Sequence, residues 1–240
     1  MSGALTIAKR ELSAYFNSPV AYIFIVAFLL SCGTLFFFVG DFFAAGQATM
    51  RGYFSLMPFV MSVLVPALTM RLWAEERKQG TYELLLTMPL MDGQLVVGKY
   101  LAALAVVAAA LALSLPVPLL ASMFGRFDSG TIVAEYLGAL LMASAASAIG
   151  QAVSSASKNQ ISAFMATVML LLALSLMSRL TTLLSLPGWL AGLVNWVSLS
   201  YHFGSFSRGV IDTRDVAYFC VITVSCLYAT ARLISAGKWR

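Results

Sequence analysis

The chain has 240 residues, of which 60% are hydrophobic and only 10% charged, and its mean hydropathy is +0.89. Soluble domains carry roughly 25% charged residues, and a core of this length could not hide so much apolar surface from water, so the expected solvent is lipid. The formal net charge of +5 would point a soluble protein towards nucleic acid; in a membrane protein it has a simpler source, the Lys and Arg that collect in cytoplasmic loops.

Residues 1–18 read as an amphipathic helix. Leu5, Ala8, Leu12, Tyr15 and Phe16 recur at helical spacing while Lys9, Arg10 and Ser13 face away. That pattern suits a helix lying in the membrane interface before Pro19 turns the chain inward. The first apolar run, Val20–Val39, follows this polar stretch and is as long as a spanning helix, so it is expected to span rather than to act as a cleavable signal.

Five further runs are expected to cross the bilayer: Tyr53–Met70, Tyr100–Leu120, Ile132–Val153, Ile161–Ser178 and Val216–Leu233. Each approaches the 20 apolar residues that cross about 30 Å of hydrocarbon. With six spans, ten of the Lys and Arg fall on the N-terminal side and five on the other. The positive-inside rule then places both termini in the cytoplasm. The fold class expected is all-α and polytopic, a single transmembrane domain over residues 1–240.

Residues 183–200 are apolar enough to suggest another span, but Pro187-Gly188, Asn195, Trp189 and Trp196 interrupt them. They read as a short re-entrant hairpin on the outer face. In the fourth span Ala139, Ala143 and Ser147 sit four apart, as do Ala146 and Gly150. Small residues on one face let helices approach closely in lipid, either within the chain or across a dimer. Cys32, Cys220 and Cys226 all lie in apolar runs, with no CxxC pair, and read as bystanders.

The most informative stretch is the expected cytoplasmic loop 71–99, RLWAEERKQGTYELLLTMPLMDGQLVVGK. Gly80-Thr81 makes a turn, with Thr81 able to accept from a free N–H of the following helix and Glu83 placed where the helix dipole favours an anion. A short helix over Tyr82–Met88 follows, and Pro89 stops it. Leu84, Leu85 and Leu86 are its apolar surface, to be covered by lipid, by the chain itself or by a partner. Gly93–Lys99 spells GxxxxGK, the front of a P-loop, but Tyr100 stands where the magnesium-binding hydroxyl is required. Lys99 reads instead as a cytoplasmic anchor for the third span. No catalytic set assembles around His202, the single histidine, and no metal cluster is visible in the pattern, so the chain is not expected to be an enzyme. Glu135, Arg179 and Asp41 fall near span ends and are expected at the interface.

Residues 201–215, YHFGSFSRGVIDTRD, precede the last span on the outer side. Tyr201, His202, Phe203, Arg208 and Asp212 are candidate contacts for a substrate or an outer partner. The alternative is structural: Tyr201, Phe203 and Phe206 form an interfacial belt, and Arg208 pairs with Asp212 across one helical turn.

The run W-A-E-E-R-K-x-G-T-x-E-L-L-L-T-x-P, Trp73–Pro89, lies between the second and third expected spans and resembles the signature of the type-two ABC exporter permeases. The opening A-K-R-E-L-x-A-Y-F-x-S-P-x-A-Y and the late segment Ser198–Phe219 are similar to the permease of the gliding-motility-associated ABC transporter group. The resemblance implies that the 71–99 loop carries a coupling helix that docks on an ATP-hydrolysing subunit. Glu75 and Glu76 would form its acidic entry, Gly80 and Thr81 its turn, and Tyr82, Glu83, Leu84, Leu85 and Leu86 its docking helix. It further implies two copies of the ATPase subunit, a second permease chain (identical or related), an outer-facing auxiliary subunit and a bacterial inner-membrane location. ATP and magnesium would bind to the partner, with no cofactor in this chain. Two rival functions stand beside it: a carrier working without an ATPase, for which repeats or midplane polar sites are not visible, and a non-transporting scaffold anchoring an ATPase or envelope complex, which would carry the same docking features.

Overall fold

The computed structural model describes residues 2–34, 50–82, 91–121, 128–185 and 187–237. Asp41, the end of the first expected span and the docking residues Glu83, Leu84, Leu85 and Leu86 lie outside them. Every regular element described is helical: α1 (Ser2–Asn17), α2 (Pro19–Thr34), α3 (Arg51–Ser55), α4 (Met57–Thr69), α5 (Arg71–Gln79), α6 (Asp92–Leu113), α7 (Pro116–Ala121), α8 (Ser129–Ala156), α9 (Gln160–Leu183), α10 (Gly188–Val197), α11 (Leu199–Phe206) and α12 (Thr213–Gly237).

Among the described residues five helical stretches are long and apolar enough to cross a membrane: Met57–Gln79, Asp92–Leu120, Ser129–Ala156, Gln160–Thr181 and Thr213–Ala236. A sixth candidate is the bent pair Gly3–Asn17 and Pro19–Thr34, which meet at 75°. Pro19, with no N–H and a fixed φ, starts the second helix of that pair and makes the corner. The chain is therefore a polytopic all-α membrane protein. The helices overrun the expected spans at several ends because capped turns outside the apolar runs remain helical. Asp128, for instance, accepts from the Gly130 N–H at 3.0 Å and the Thr131 hydroxyl at 2.8 Å, and so opens α8 ahead of its first apolar residue. Those bonds hold the Asp128 carboxyl below the usual carboxylate range.

Helix α8 is the hub. It packs most extensively along α12, and also touches α4, α5, α6, α9 and α11. Its small residues explain this. Ala139, Ala143 and Ser147 are buried, and a Cβ added at Gly138 would come within 2.5 Å of the Phe206 ring. One added at Gly150 would collide with the Thr69 hydroxyl. The small-residue face thus packs inside the chain. Hydroxyls stitch the interfaces. The Tyr100 hydroxyl lies 2.6 Å from that of Ser144, which in turn lies 3.0 Å from that of Thr223, linking α6, α8 and α12. Ser62 of α4 meets Ser175 of α9 at 2.9 Å. Outward faces are apolar, as at Ile161, Met165 and Met169 of α9 and Val221, Val224 and Tyr228 of α12, which suits a lipid solvent.

Two expectations change at this level. Glu135 is fully buried in α8, because its helix face turns into the bundle rather than towards the interface. Of the expected hairpin 183–200, Leu183 ends α9, Gly188–Val197 is α10 and Leu199 starts α11, which runs on to Phe206. Thr181 donates to Asn195 Oδ1 at 3.2 Å, tying α10 back onto α9, while Trp189 and Trp196 face outward.

Candidate functional site

The segment 71–99 begins as a continuation of a spanning helix rather than as a loop. Its first part, α5, follows α4 after a break at Met70, and its last part, from Asp92 onward, already belongs to α6. The break at Met70 is bridged by one hydroxyl. Ser154 Oγ accepts the backbone N–H groups of Trp73 and Ala74, both at 3.2 Å, and donates to the Met70 carbonyl at 2.9 Å. Gln151, one turn earlier on α8, donates to the Val96 carbonyl at 3.0 Å. Helix α8 thereby holds both ends of the segment.

Lys99 is the centre of the site. It is 1% exposed, and its Nζ donates to Glu76 Oε1 at 3.0 Å and to Glu11 Oε1 at 3.1 Å, while lying 5.4 Å from the centroid of the Trp73 ring. Three segments far apart in sequence meet on one ammonium. Gly98 makes this possible. A Cβ there would sit 2.7 Å from Ile7 Cβ and 2.8 Å from the Ala4 carbonyl, so glycine lets α1 lie directly on α6. Ile7 and Glu11 share a face of α1 at one-turn spacing, which carries the Glu11 carboxylate to Lys99. Lys99, expected as an anchor for the third span, is buried here: the start of α6 is covered by α1, and its charge is met by two carboxylates. The buried side of α1 runs through Ile7 and Tyr15, while Leu5 faces outward.

The two acidic residues have different surroundings. Glu75 makes a local pair, Arg71 Nε to Glu75 Oε2 at 2.9 Å, and accepts from Gln79 at 3.1 Å. Arg71 also reaches the Ser18 hydroxyl at 3.3 Å and lies over the Tyr15 ring, whose hydroxyl donates to the Leu68 carbonyl at 2.8 Å. Glu76 makes the long-range link. Gly80 closes α5 in the left-handed conformation, φ 71°, which favours glycine. The N–H groups that Thr81 is expected to cap lie outside the described residues. Its hydroxyl donates backward to the Glu76 carboxylate, because the left-handed turn brings it over the helix just ended. The Tyr82 ring packs edge-on against Trp73 and under the Arg77 guanidinium, 4.8 Å from its centroid. Glu75, Glu76, Gly80, Thr81 and Tyr82 are thus one cluster; Glu11, Trp73, Gly98, Lys99 and Ser154 belong with it and were not among the coupling residues expected from the sequence.

The second group of candidate residues lies at the other end of the bundle. Thr131, beside Gly209, and Ser154, beside Met70, are separated by roughly 35 Å of α8. His202 is buried, with Nδ1 2.7 Å from Asp215 Oδ1 and Nε2 3.0 Å from the Trp196 carbonyl, and its ring stacks on Tyr218 at 3.8 Å. Phe203 and Phe206 are buried and only Tyr201 is exposed, so no aromatic belt forms. Nor does Arg208 pair with Asp212. Helix α11 ends at Phe206, Gly209 turns the chain at φ 76°, and Asp212 Oδ1 instead accepts the Arg214 N–H at 2.9 Å.

The structure is a bundle of membrane-spanning helices with a charged, helix-linking cluster at one end. Residues 45–229 match the family model described as ABC-2 family transporter protein. The match covers most of the chain, which belongs to that family: it is an ABC permease, a membrane domain of the kind that works with an ABC ATPase. No curated protein matches the chain.

Proposed function

We propose that this chain is the permease subunit of an ATP-driven exporter and that residues 71–99 couple it to a separate ATPase subunit. The observation that carries the reading is the Lys99 triad. The stem of the segment, α5, is tied by Glu76 to Lys99 of α6 and through Lys99 to Glu11 of α1. A push on the residues after Gly80 would therefore move α1, α5 and α6 together. Removing one partner of a buried ion pair costs about 3–5 kcal/mol, so the joint is stiff enough to pass on force. The Leu84–Leu86 run supplies the apolar surface that an ATPase would cover. In this reading two permease chains, identical or related, stand over two ATPases that bind ATP and magnesium. Both termini face the cytoplasm of a bacterial inner membrane, as the ten-to-five distribution of Lys and Arg supports. The motifs over Ala8–Tyr22 and Ser198–Phe219 support the gliding-associated subgroup, with an auxiliary subunit on the outer side.

The test is purification from native membranes in mild detergent, with mass spectrometry of what accompanies the chain. A stoichiometric soluble protein with a complete P-loop is expected, and it should be lost from the Leu85→Asp variant while that variant stays in the membrane. An intact complex in Leu85→Asp would sink the docking role. Reconstituted complexes that hydrolyse ATP without moving any solute across vesicles would favour the scaffold.

A further inference from the structure

At the end of the bundle away from Lys99, a cleft of about 1080 Å³ opens between α9, the α10–α11 junction and the start of α12. That is at the large end of ligand pockets. Its floor is apolar: Leu174 from α9, and Ala217, Val221 and Ile222 from α12. Its rim carries two guanidinium groups, Arg208 and Arg214. From Arg214 down to Val221 the helix descends about 10 Å, so the cleft runs from a charged mouth to a greasy base along the helix axis. Val221 is 62% exposed and Trp196 is exposed beside it, so the apolar part opens sideways towards lipid.

Two carboxylates also line the cleft: Asp215 is bonded to His202, and Asp212 accepts the Arg214 backbone N–H rather than either guanidinium. The Arg208 guanidinium makes a 3.4 Å contact with the Ser205 hydroxyl, and among the described residues neither arginine enters an ion pair. One wall is rigid, since His202 is pinned at both ring nitrogens and stacked on Tyr218, whose own hydroxyl donates to the Val197 carbonyl at 2.6 Å.

We propose that this cleft binds an anionic amphiphile from the bilayer leaflet at its own end. A phosphate or carboxylate headgroup engages Arg208 and Arg214, and an acyl chain lies along Leu174, Val221 and Ile222. Guanidinium forks match such oxyanions, and basic pockets between spanning helices hold anionic headgroups. The apolar floor distinguishes the site from a simple anion trap, and the lateral opening admits a ligand that never leaves the membrane.

The chain is reconstituted in nanodiscs of phosphatidylcholine with a minor share of phosphatidylglycerol, and the lipid kept on extraction is counted by native mass spectrometry. Phosphatidylglycerol should be retained over phosphatidylcholine. Retention should fall by about tenfold for each guanidinium lost in Arg208→Gln and Arg214→Gln, as expected for a charged hydrogen bond. Arg208→Lys/Arg214→Lys, which keeps the charge, should hold most of it and so reports on folding. Val221→Trp, which fills the floor, should release the lipid with both arginines intact, and Lys158→Gln at the opposite end should change nothing. Glycerol 3-phosphate, a headgroup without chains, should not compete. Equal retention of both lipids, unchanged retention in the double glutamine variant, or full displacement by glycerol 3-phosphate would overturn the assignment.

Discussion

Lys99 and Glu76 are 23 residues apart in the chain and 3.0 Å apart in space, with Lys99 almost wholly buried. Lys99→Met should therefore leave Glu76 without its cation and Glu11 with only Arg10, 3.0 Å away. A loss of about 3 kcal/mol is expected, read by denaturant titration of the chain in detergent. The triple variant Lys99→Met/Glu11→Gln/Glu76→Gln removes all three charges and should recover most of that loss, because the penalty lies in the unpaired charges and not in missing volume. A Lys99→Met chain as stable as the wild type would show that the triad adds nothing.

Gly98 sets the distance between α1 and α6. With the ideal Cβ already 2.7 Å from Ile7, Gly98→Leu must push α1 off its seat, at the 1–3 kcal/mol typical of overpacking. In a background without the native cysteines, a cysteine replacing buried Ile7 should then react with a maleimide roughly tenfold faster, the ratio expected for about 1.4 kcal/mol of easier opening. An unchanged rate would mean that α1 does not rest on α6 in solution.

His202 and Asp215 should behave as a unit. His202→Leu strands a buried carboxylate that otherwise sits 2.7 Å from Nδ1, and a loss of about 3 kcal/mol is expected in the same denaturant assay. Asp215→Asn keeps an oxygen acceptor for the ring and should cost clearly less. Equal losses in the two variants would show that the carboxylate charge is irrelevant and that packing against Tyr218 alone fixes the ring.

The apolar runs made the spanning helices readable, because lipid imposes a length and a composition that few other constraints mimic. Pro19 and the stripe of small residues on α8 were equally legible, since each acts through local geometry. Lys99 was not. A cation at the start of a span looks the same whether water or two carboxylates surround it, and Glu11 is 88 residues away. Glu135 misled for the same reason: its position near a helix end says nothing about which face turns inward. The pairing expected between Arg208 and Asp212 assumed a helix that Gly209 breaks with a φ of 76°. Gly98 carried a usable signal, a small residue beside a lysine, but the P-loop spelling drew attention to phosphate rather than to packing.

Ser154 offers the sharpest test of how α5 is held. The break at Met70 leaves the Trp73 and Ala74 N–H groups without a regular helical partner, and the Ser154 hydroxyl takes both while donating to the Met70 carbonyl. Ser154→Ala deletes a methylene-sized oxygen and leaves those groups buried and unserved, so about 2 kcal/mol should be lost. The local signature matters more than the total. Amide hydrogen exchange at Trp73 and Ala74 should speed up selectively, while amides in the middle of α8 stay as protected as before. Faster exchange throughout α8 would point to general unfolding instead, and unchanged exchange at Trp73 and Ala74 would mean that the helix carries itself across the break without Ser154.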